Sequence, residues 1–153
     1  MALSASGFAQ NLYCPATISV NQQMEQVPAG WKASNENMPH RLAYITFYDG
    51  PPEQRASLTS DSANKSGTME TWRFQTNSEG TWIACSYAST DVVLAQSLPE
   101  GTSECSISYN ARVFIDGHRE IKSVSCGKNS AGKGAANRSA STARTKPKPS
   151  STP

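Results

Sequence analysis

An alternation of apolar and polar residues along the segment 81–109 restricts the folds that this chain can adopt more than any other feature does. Three apolar residues occupy alternate positions in each of two stretches: Ile83, Cys85 and Tyr87, then Cys105, Ile107 and Tyr109. In the second stretch the positions between them are polar. This period of two is typical of a strand with one buried face and one wet face. The pattern therefore predicts β-strands whose apolar faces meet in a common core.

Other segments carry strand or hairpin signals of different strength. Leu42–Tyr48 is rich in aromatic and β-branched residues, and Leu12–Val20 predicts a shorter first strand. Thr71–Gln75 is expected to form a hairpin with Thr81–Tyr87 through the turn residues 77–80. Asp116-Gly117 predicts a second hairpin.

Two further segments have weaker patterns. Val92–Leu98 fits a strand or a helical turn, and the pattern does not decide between them. Asp61–Asn64 is expected to be a turn within a polar stretch. The fold class predicted from all these segments is all-β: a single small antiparallel β-sandwich or barrel-like domain.

Four isolated cysteines, Cys14, Cys85, Cys105 and Cys126, occur without any Cys-x-x-Cys pair. The two histidines have no metal-ligand spacing, so we expect no metal and no cofactor. Two disulfides and an oxidising compartment fit this pattern. The shared apolar faces favour the pairs Cys85–Cys105 and Cys14–Cys126, although four cysteines allow three connectivities and the sequence alone does not settle which.

The two ends of the chain differ from its middle. Residues 1–10 are similar to the second half of a signal peptide, with Gly7 and Ala9 before the expected cleavage point, or they form a disordered terminus. Residues 12–126 are the predicted β-domain. Residues 127–153 contain six basic and no acidic residues and no large apolar side chain, so a disordered basic tail is expected. The remaining chain has eight basic and twelve acidic residues, a net charge of −4.

Signatures of enzymes are missing from the sequence. It contains no nucleophile elbow, phosphate-binding loop or HExxH-type motif, and all four cysteines are expected to be bridged. The carboxylates Asp49 and Glu53 stand close in sequence, as glycoside hydrolysis would require, but their proline-rich context is typical of a turn. We therefore predict a binding protein without catalytic residues.

The loop Tyr48–Arg55 is the predicted contact surface for a partner protein. Pro51 and Pro52 restrict its conformers, which lowers the entropy lost on binding. The contact residues are expected to be Tyr48, Asp49, Glu53 and Arg55. Trp31, in the segment 21–40, is expected to fold back as a lid on the core, and the surface around it is the second candidate for the contact.

The chain resembles a known family in six short motifs: Cys14-Pro15, Pro28-Ala29-Gly30-Trp31, Phe47-Tyr48-Asp49-Gly50-Pro51-Pro52, Trp82-x-x-Cys85-x-Tyr87-x-x-Thr90, Leu98-Pro99 and Cys105. They resemble a family of small proteins with signal peptides from enterobacteria and related bacteria, found beside type VI secretion genes. The resemblance covers about residues 13–126. It implies a periplasmic immunity protein that inhibits a cell-wall-attacking effector, such as an L,D-transpeptidase-like enzyme or a hydrolase. It identifies no inhibitory residue.

Two functions of different classes follow. The first is a protein inhibitor of a secreted effector enzyme, with no nucleic acid and no membrane span. The second is a small module that binds peptidoglycan or another glycan through exposed tryptophan and tyrosine side chains, with Trp31, Trp72 and Trp82 as the candidate tryptophans. Tryptophans exposed in a line would favour the glycan module, whereas buried ones favour the inhibitor.

Overall fold

A computed structural model describes residues 13–75 and 79–128. The predicted signal-peptide remnant, and the predicted tail beyond residue 128, lie outside the described residues. The strands are β1 Thr17–Ile18, β2 His40–Asp49, β3 Ser57–Leu58, β4 Ser62–Ala63, β5 Met69–Arg73, β6 Thr81–Tyr87, β7 Val93–Ser97, β8 Glu104–Ile115 and β9 His118–Gly127. A single 3-10 turn spans Pro52–Gln54, and no α-helix occurs in the described part of the chain.

The strands form two antiparallel sheets, which confirms the all-β prediction. The first sheet has the order β1-β2-β6-β7, with β3 also paired to β2. The second has the order β4-β5-β8-β9. Strand β9 lies against β2, so the two sheets approach each other along these strands.

The core lies between the two sheets. Phe47 and Ile83 of the first sheet, and Ile107 of the second, are completely buried. The Phe47 ring packs 5.1 Å from Trp72 and 5.3 Å from Phe74, measured between ring centroids. Each such side chain contributes about 1.5–3 kcal/mol by leaving water, so this apolar contact is what holds the sheets together.

The predicted hairpin between Thr71–Gln75 and Thr81–Tyr87 is wrong. Strand β5 pairs with β8, where Trp72 is opposite Cys105, whereas β6 pairs with β2 and β7. The chain therefore crosses from one sheet to the other between β5 and β6. Both strands bury an apolar face in the same core, and a period of two cannot distinguish paired strands from strands that face each other across the core.

The hairpin at Asp116-Gly117 is confirmed. Both residues have positive φ, 50° and 80°, as a two-residue turn with the right-handed strand twist requires, and β8 and β9 pair on either side of it. The undecided segment Val92–Leu98 is a strand, β7.

Two local predictions are wrong. Asp61–Asn64 is not a turn, because Ser62–Ala63 forms β4 and the chain turns after it. There the Asn64 side-chain oxygen accepts hydrogen bonds from the backbone N–H groups of Thr68 and Met69, at 2.8 and 3.1 Å. The predicted strand Leu12–Val20 is reduced to the two residues of β1.

Both disulfides exist, but the predicted pairing is wrong. Cys14 is bonded to Cys85, with 5.7 Å between their Cα atoms, and Cys105 is bonded to Cys126. Cys85 and Cys105 lie on different sheets, whereas Cys105 and Cys126 are register partners on β8 and β9. Direct cross-strand neighbours meet the short separation that a disulfide demands, which explains why Cys126 and not Cys85 is the partner of Cys105.

The second sheet continues one residue past the predicted domain end. Gly127 is paired with Glu104 in β9, and its carbonyl oxygen accepts a hydrogen bond from the Ser103 N–H at 3.0 Å. Gly127 therefore belongs to the domain and not to the predicted tail.

Candidate functional site

The loop Tyr48–Arg55 is held to the first sheet at its start. The Asp49 N–H donates to the Ala56 carbonyl oxygen, and the Gly50 N–H donates to the Gly80 carbonyl oxygen, both at 2.9 Å. Gly50 has φ +89°, and an added Cβ would lie 2.8 Å from the Glu79 carboxylate, so glycine suits this position for two reasons. These contacts fix the direction in which the chain leaves β2.

The rest of the same loop is stiffened by local hydrogen bonds. The N–H groups of Gln54 and Arg55 donate to the carbonyl oxygens of Pro51 and Pro52, at 3.0 and 2.9 Å. Arg55 itself ends the 3-10 turn in the left-handed conformation, with φ 59°. A loop bonded in this way loses little further entropy when a partner covers it.

The loop presents mainly negative charge. Asp49 and Glu53 are exposed, Tyr48 is half-buried, and Arg55 supplies an exposed cation. Glu79 adds a third carboxylate beside Gly50. The structure thus brings the four predicted contact residues of this loop together at one end of the first sheet.

Trp31 lies apart from that loop. It is 75% exposed, so the prediction that it forms a lid on the core is wrong. All residues from 21 to 39 are exposed, so the whole segment, with Met24, Val27 and Met38, lies outside the core. The Gln22 side chain donates to the Ser89 carbonyl oxygen at 3.3 Å, which ties the start of this segment to the end of the sheet opposite the Tyr48–Arg55 loop. The ten residues of β2 separate the two ends by about 30 Å.

The other two tryptophans do not line up with Trp31. Trp72 is buried in the core and donates its ring N–H to the Leu58 carbonyl oxygen at 3.3 Å. Trp82 is half-buried on β6. No exposed line of tryptophans is therefore present in the described segments 13–75 and 79–128.

A cleft between the two sheets was not predicted from the sequence. It has a volume of ≈ 360 Å³, and its main side chains are Tyr44, Glu70, Trp72, Tyr109, His118 and Arg119. These residues come from β2, β5, β8 and β9, and no local pattern connects them. The Tyr44 and His118 rings close one side, with 4.7 Å between their centroids.

Glu70 is the fixed polar group of this cleft. Its two carboxylate oxygens accept hydrogen bonds from the hydroxyls of Ser60, at 3.0 Å, and Tyr109, at 2.8 Å. Burial of the Tyr109 phenol, together with the hydrogen bond and negative charge of Glu70, raises the pKa of Tyr109 far above its usual value. Tyr109 therefore stays protonated and holds the carboxylate in place.

The described residues offer neither a metal site nor a membrane-spanning helix. Within the described residues, no three His, Cys, Asp or Glu side chains are grouped so that they could hold a metal ion. The same residues contain no helix that is long and apolar enough to cross a membrane.

Fold and surface together define a small disulfide-bonded protein of two antiparallel sheets with a stiff acidic loop at one end. Comparison with known families identifies it further. The chain belongs to the type VI secretion system Tli immunity protein family, whose model matches residues 34–127. That segment begins before β2 and ends with β9, so it contains Cys85, Cys105 and Cys126 but not Cys14. Membership confirms a type VI secretion immunity protein and implies an effector as its partner.

A similar protein occurs in Azospirillum brasilense. It is described as an uncharacterized 16.3 kDa protein in the trpG 5′ region and is 28% identical over 116 residues, which is 70% of this chain and 77% of that protein. No solved structure matches the chain.

Proposed function

We propose that this immunity protein acts in the periplasm as a non-enzymatic inhibitor that binds and covers its effector. The observation that carries the proposal is the Tyr48–Arg55 loop, which is bonded to the sheet at its start and exposes charged side chains. Membership of the immunity family supplies the class of partner. The two disulfides support an oxidising compartment such as the periplasm.

Charge complementarity is the proposed basis of recognition. Residues 1–126 carry a net charge of −4, and Asp49, Glu53 and Glu79 concentrate negative charge at the loop. A basic surface on the effector would be steered toward this end, which raises the association rate more than the affinity. Tyr48 and Arg55 then supply the side chains that most often dominate the binding energy of interfaces.

The effector is proposed to attack peptidoglycan, as an L,D-transpeptidase-like enzyme or a hydrolase. Such enzymes work outside the cytoplasmic membrane, which is where a disulfide-bonded inhibitor would have to meet them. A basic enzyme surface would also suit an anionic wall, and the same surface would be attracted to the acidic loop.

The alternative of a peptidoglycan- or glycan-binding module depends on exposed aromatic side chains. Trp72 is in the core and Trp82 is half-buried, which leaves Trp31 as the one exposed tryptophan of the described residues. The further exposed rings there belong to Tyr44 on β2 and Phe114 on β8. A glycan chain stacks the C–H faces of successive sugar rings on aligned aromatic side chains, and no exposed line of tryptophans is present in the described residues, so the arrangement favours the inhibitor.

Co-expression in the periplasm tests the proposal. Cells that express the product of the neighbouring effector gene should survive when this chain is exported with it and die without it. The purified effector is assayed in parallel on isolated peptidoglycan and on phospholipid vesicles, which identifies its envelope target. Cleavage of phospholipid alone would contradict the peptidoglycan assignment, and death of the cells despite co-export would contradict the inhibitor.

Alanine variants locate the contact. We expect Tyr48→Ala, Asp49→Ala, Glu53→Ala and Arg55→Ala to weaken effector binding, with at least one loss of about 2 kcal/mol or about thirtyfold. Glu36→Ala is the matched control, because Glu36 is an exposed acid in the segment 21–39, away from the loop. If all four loop variants bind within twofold of the parent and Trp31→Ala does not, the interface lies around Trp31.

A further inference from the structure

Strand β7 is an open edge of the first sheet. Among the described residues 13–75 and 79–128 it pairs with β6 on one side only, and all five of its residues are exposed. Val93 is 52% exposed and Leu94 is 40% exposed, which is unusual for apolar residues of a strand beside the core. Such an edge offers unpaired backbone groups together with apolar side chains.

The register shows which backbone groups face outward. The Leu98 N–H donates to the Thr81 carbonyl oxygen at 2.8 Å, in the same register that pairs Gln96 with Ile83. Along an antiparallel strand, every second residue directs its backbone N–H and C=O groups to the same neighbouring strand. Leu94, Gln96 and Leu98 therefore make the backbone hydrogen bonds to β6. The N–H and C=O groups of Val93, Ala95 and Ser97 therefore point away from the sheet.

The other edges of the described sheets are short or charged. Strands β1, β3 and β4 have two residues each. Strand β9 is long, but it carries Arg119, Glu120 and Lys122 and lies against β2. Strand β7 has no charged residue and no proline, the usual means by which proteins prevent pairing at an edge.

A small recess accompanies this edge. Its volume is ≈ 280 Å³, and it is lined by Tyr13, Pro15, Cys85, Leu94, Ala95 and Gln96. The Gln96 side chain donates to the Tyr13 carbonyl oxygen at 3.0 Å and holds the wall of the recess. Recognition by strand addition uses this combination of backbone bonds and pockets for alternate side chains.

One end of the open edge lies near the acidic loop Tyr48–Arg55. The C-terminal end of β7 lies opposite Trp82 and Thr81, and Thr81 is paired with Asp49 on its other side. Two strand spacings, about 10 Å, separate that end of β7 from Asp49. One partner can therefore contact the edge and the loop together.

We infer that β7 binds an extended segment of the effector, which adds a strand to the first sheet. This inference rests on the proposed function. The segment carries an apolar side chain for the recess and a basic residue at the end that reaches Asp49 and Glu53. A second copy of this chain is a poorer occupant, because two strands of about 17 Å paired by themselves cover less area than a stable dimer needs.

Two substitutions and one isotope measurement test the inference on the full chain, with the purified product of the neighbouring effector gene as the probe. Ala95→Pro removes an outward N–H and leaves the bonds to β6 intact. Val93→Lys adds a charge to the open edge. Each should weaken effector binding at least tenfold. Val113→Lys, at an exposed valine near the β8–β9 turn, is the matched control and should bind within twofold of the parent.

Amide hydrogen exchange gives a readout that does not depend on a variant folding. The amides of Ala95 and Ser97 should exchange at least tenfold more slowly in the complex than in the free protein. Unchanged exchange at both positions, with both variants binding within twofold of the parent, would overturn the inference and leave the proposed function standing. If the amides of Ala95 and Ser97 already exchange slowly in the free protein, and that protein is a dimer that Ala95→Pro dissociates, then the edge binds a second copy of this chain. That result would also overturn the inference. If the parent neither binds nor protects, the proposed function itself fails.

Discussion

Removing the two disulfides separately tests both their connectivity and their contributions to stability. Cys14–Cys85 closes a separation of 71 residues and Cys105–Cys126 one of 21, and the two loops do not overlap in sequence. On the chain-entropy model, these links restrict the unfolded chain by about 4.4 and about 3.3 kcal/mol. The variant Cys14→Ala/Cys85→Ala should therefore lose more free energy of unfolding than Cys105→Ala/Cys126→Ala.

Other contacts remain around each bridge when it is removed, so the difference between the two losses should come mainly from the unfolded chain. Cys105 and Cys126 are opposite each other in the β8–β9 hairpin, whose other register pairs remain without the bridge. Cys14 joins the segment before β1 to the central strand β6. Without it, that segment keeps the hydrogen bond from the Tyr87 hydroxyl to the Pro15 carbonyl oxygen, at 3.0 Å, and the one from Gln96 to Tyr13.

Urea unfolding followed by tryptophan fluorescence measures the two losses, because Trp72 is buried and becomes exposed. Non-reducing peptide mapping establishes the pairs. Trypsin leaves Cys85 and Cys105 together in the peptide 74–112, so a glutamate-specific protease is needed to cut after Glu100 between them. The Cys14 peptide should then be linked to that of Cys85, and the Cys105 peptide to that of Cys126.

Two results would refute this reasoning. One is a loss below 1 kcal/mol for Cys14→Ala/Cys85→Ala, since the long loop would then contribute nothing. The other concerns the single variant Cys14→Ala, which frees the thiol of whichever cysteine was bonded to Cys14. A free thiol at Cys126 would show the pair Cys14–Cys126 that the shared apolar faces had favoured. The thiol is expected at Cys85.

Three further predictions concern separate parts of the molecule. Tyr109→Phe should cost about 1–2 kcal/mol through its lost bond to Glu70. The pKa of Tyr109 is raised on folding, so its contribution to stability is present below pH ~10 and is lost as pH rises further. Since Tyr109 does not ionise near pH ~10, the tyrosinate absorbance gained there should be equal in the parent and in Tyr109→Phe. Gly117→Ala, at φ +80°, should cost about 1 kcal/mol in urea unfolding, whereas the control Gly127→Ala, without positive φ, should be near neutral. Deleting residues 129–153 should leave the melting temperature and effector binding unchanged within about 1–2 °C and twofold; a larger loss would mean that these basic residues bind the acidic domain.

The candidate site was only partly accessible from the sequence. The loop Tyr48–Arg55 was identified because prolines and charges occur together in one short segment, and the structure keeps those residues together. The cleft around Glu70 and the open edge of β7 left no such signal. Both depend on which strands become neighbours, and a residue's exposure at an edge is a property of the sheet and not of its own segment.

Local chemistry alone determined the strands β2, β5, β6, β8 and β9, the two-residue turn at Asp116-Gly117 and the presence of disulfides. Alternation specifies which face of a strand is buried, and a two-residue turn that requires positive φ specifies its own position. Only the tertiary structure decided that β5 and β6 belong to different sheets, that Cys85 bonds to Cys14, and that β7 has one neighbour among the described strands. These are contacts between residues far apart in sequence, and several arrangements of the same strands bury the same apolar faces, so the choice among them rests on the packing of the whole core.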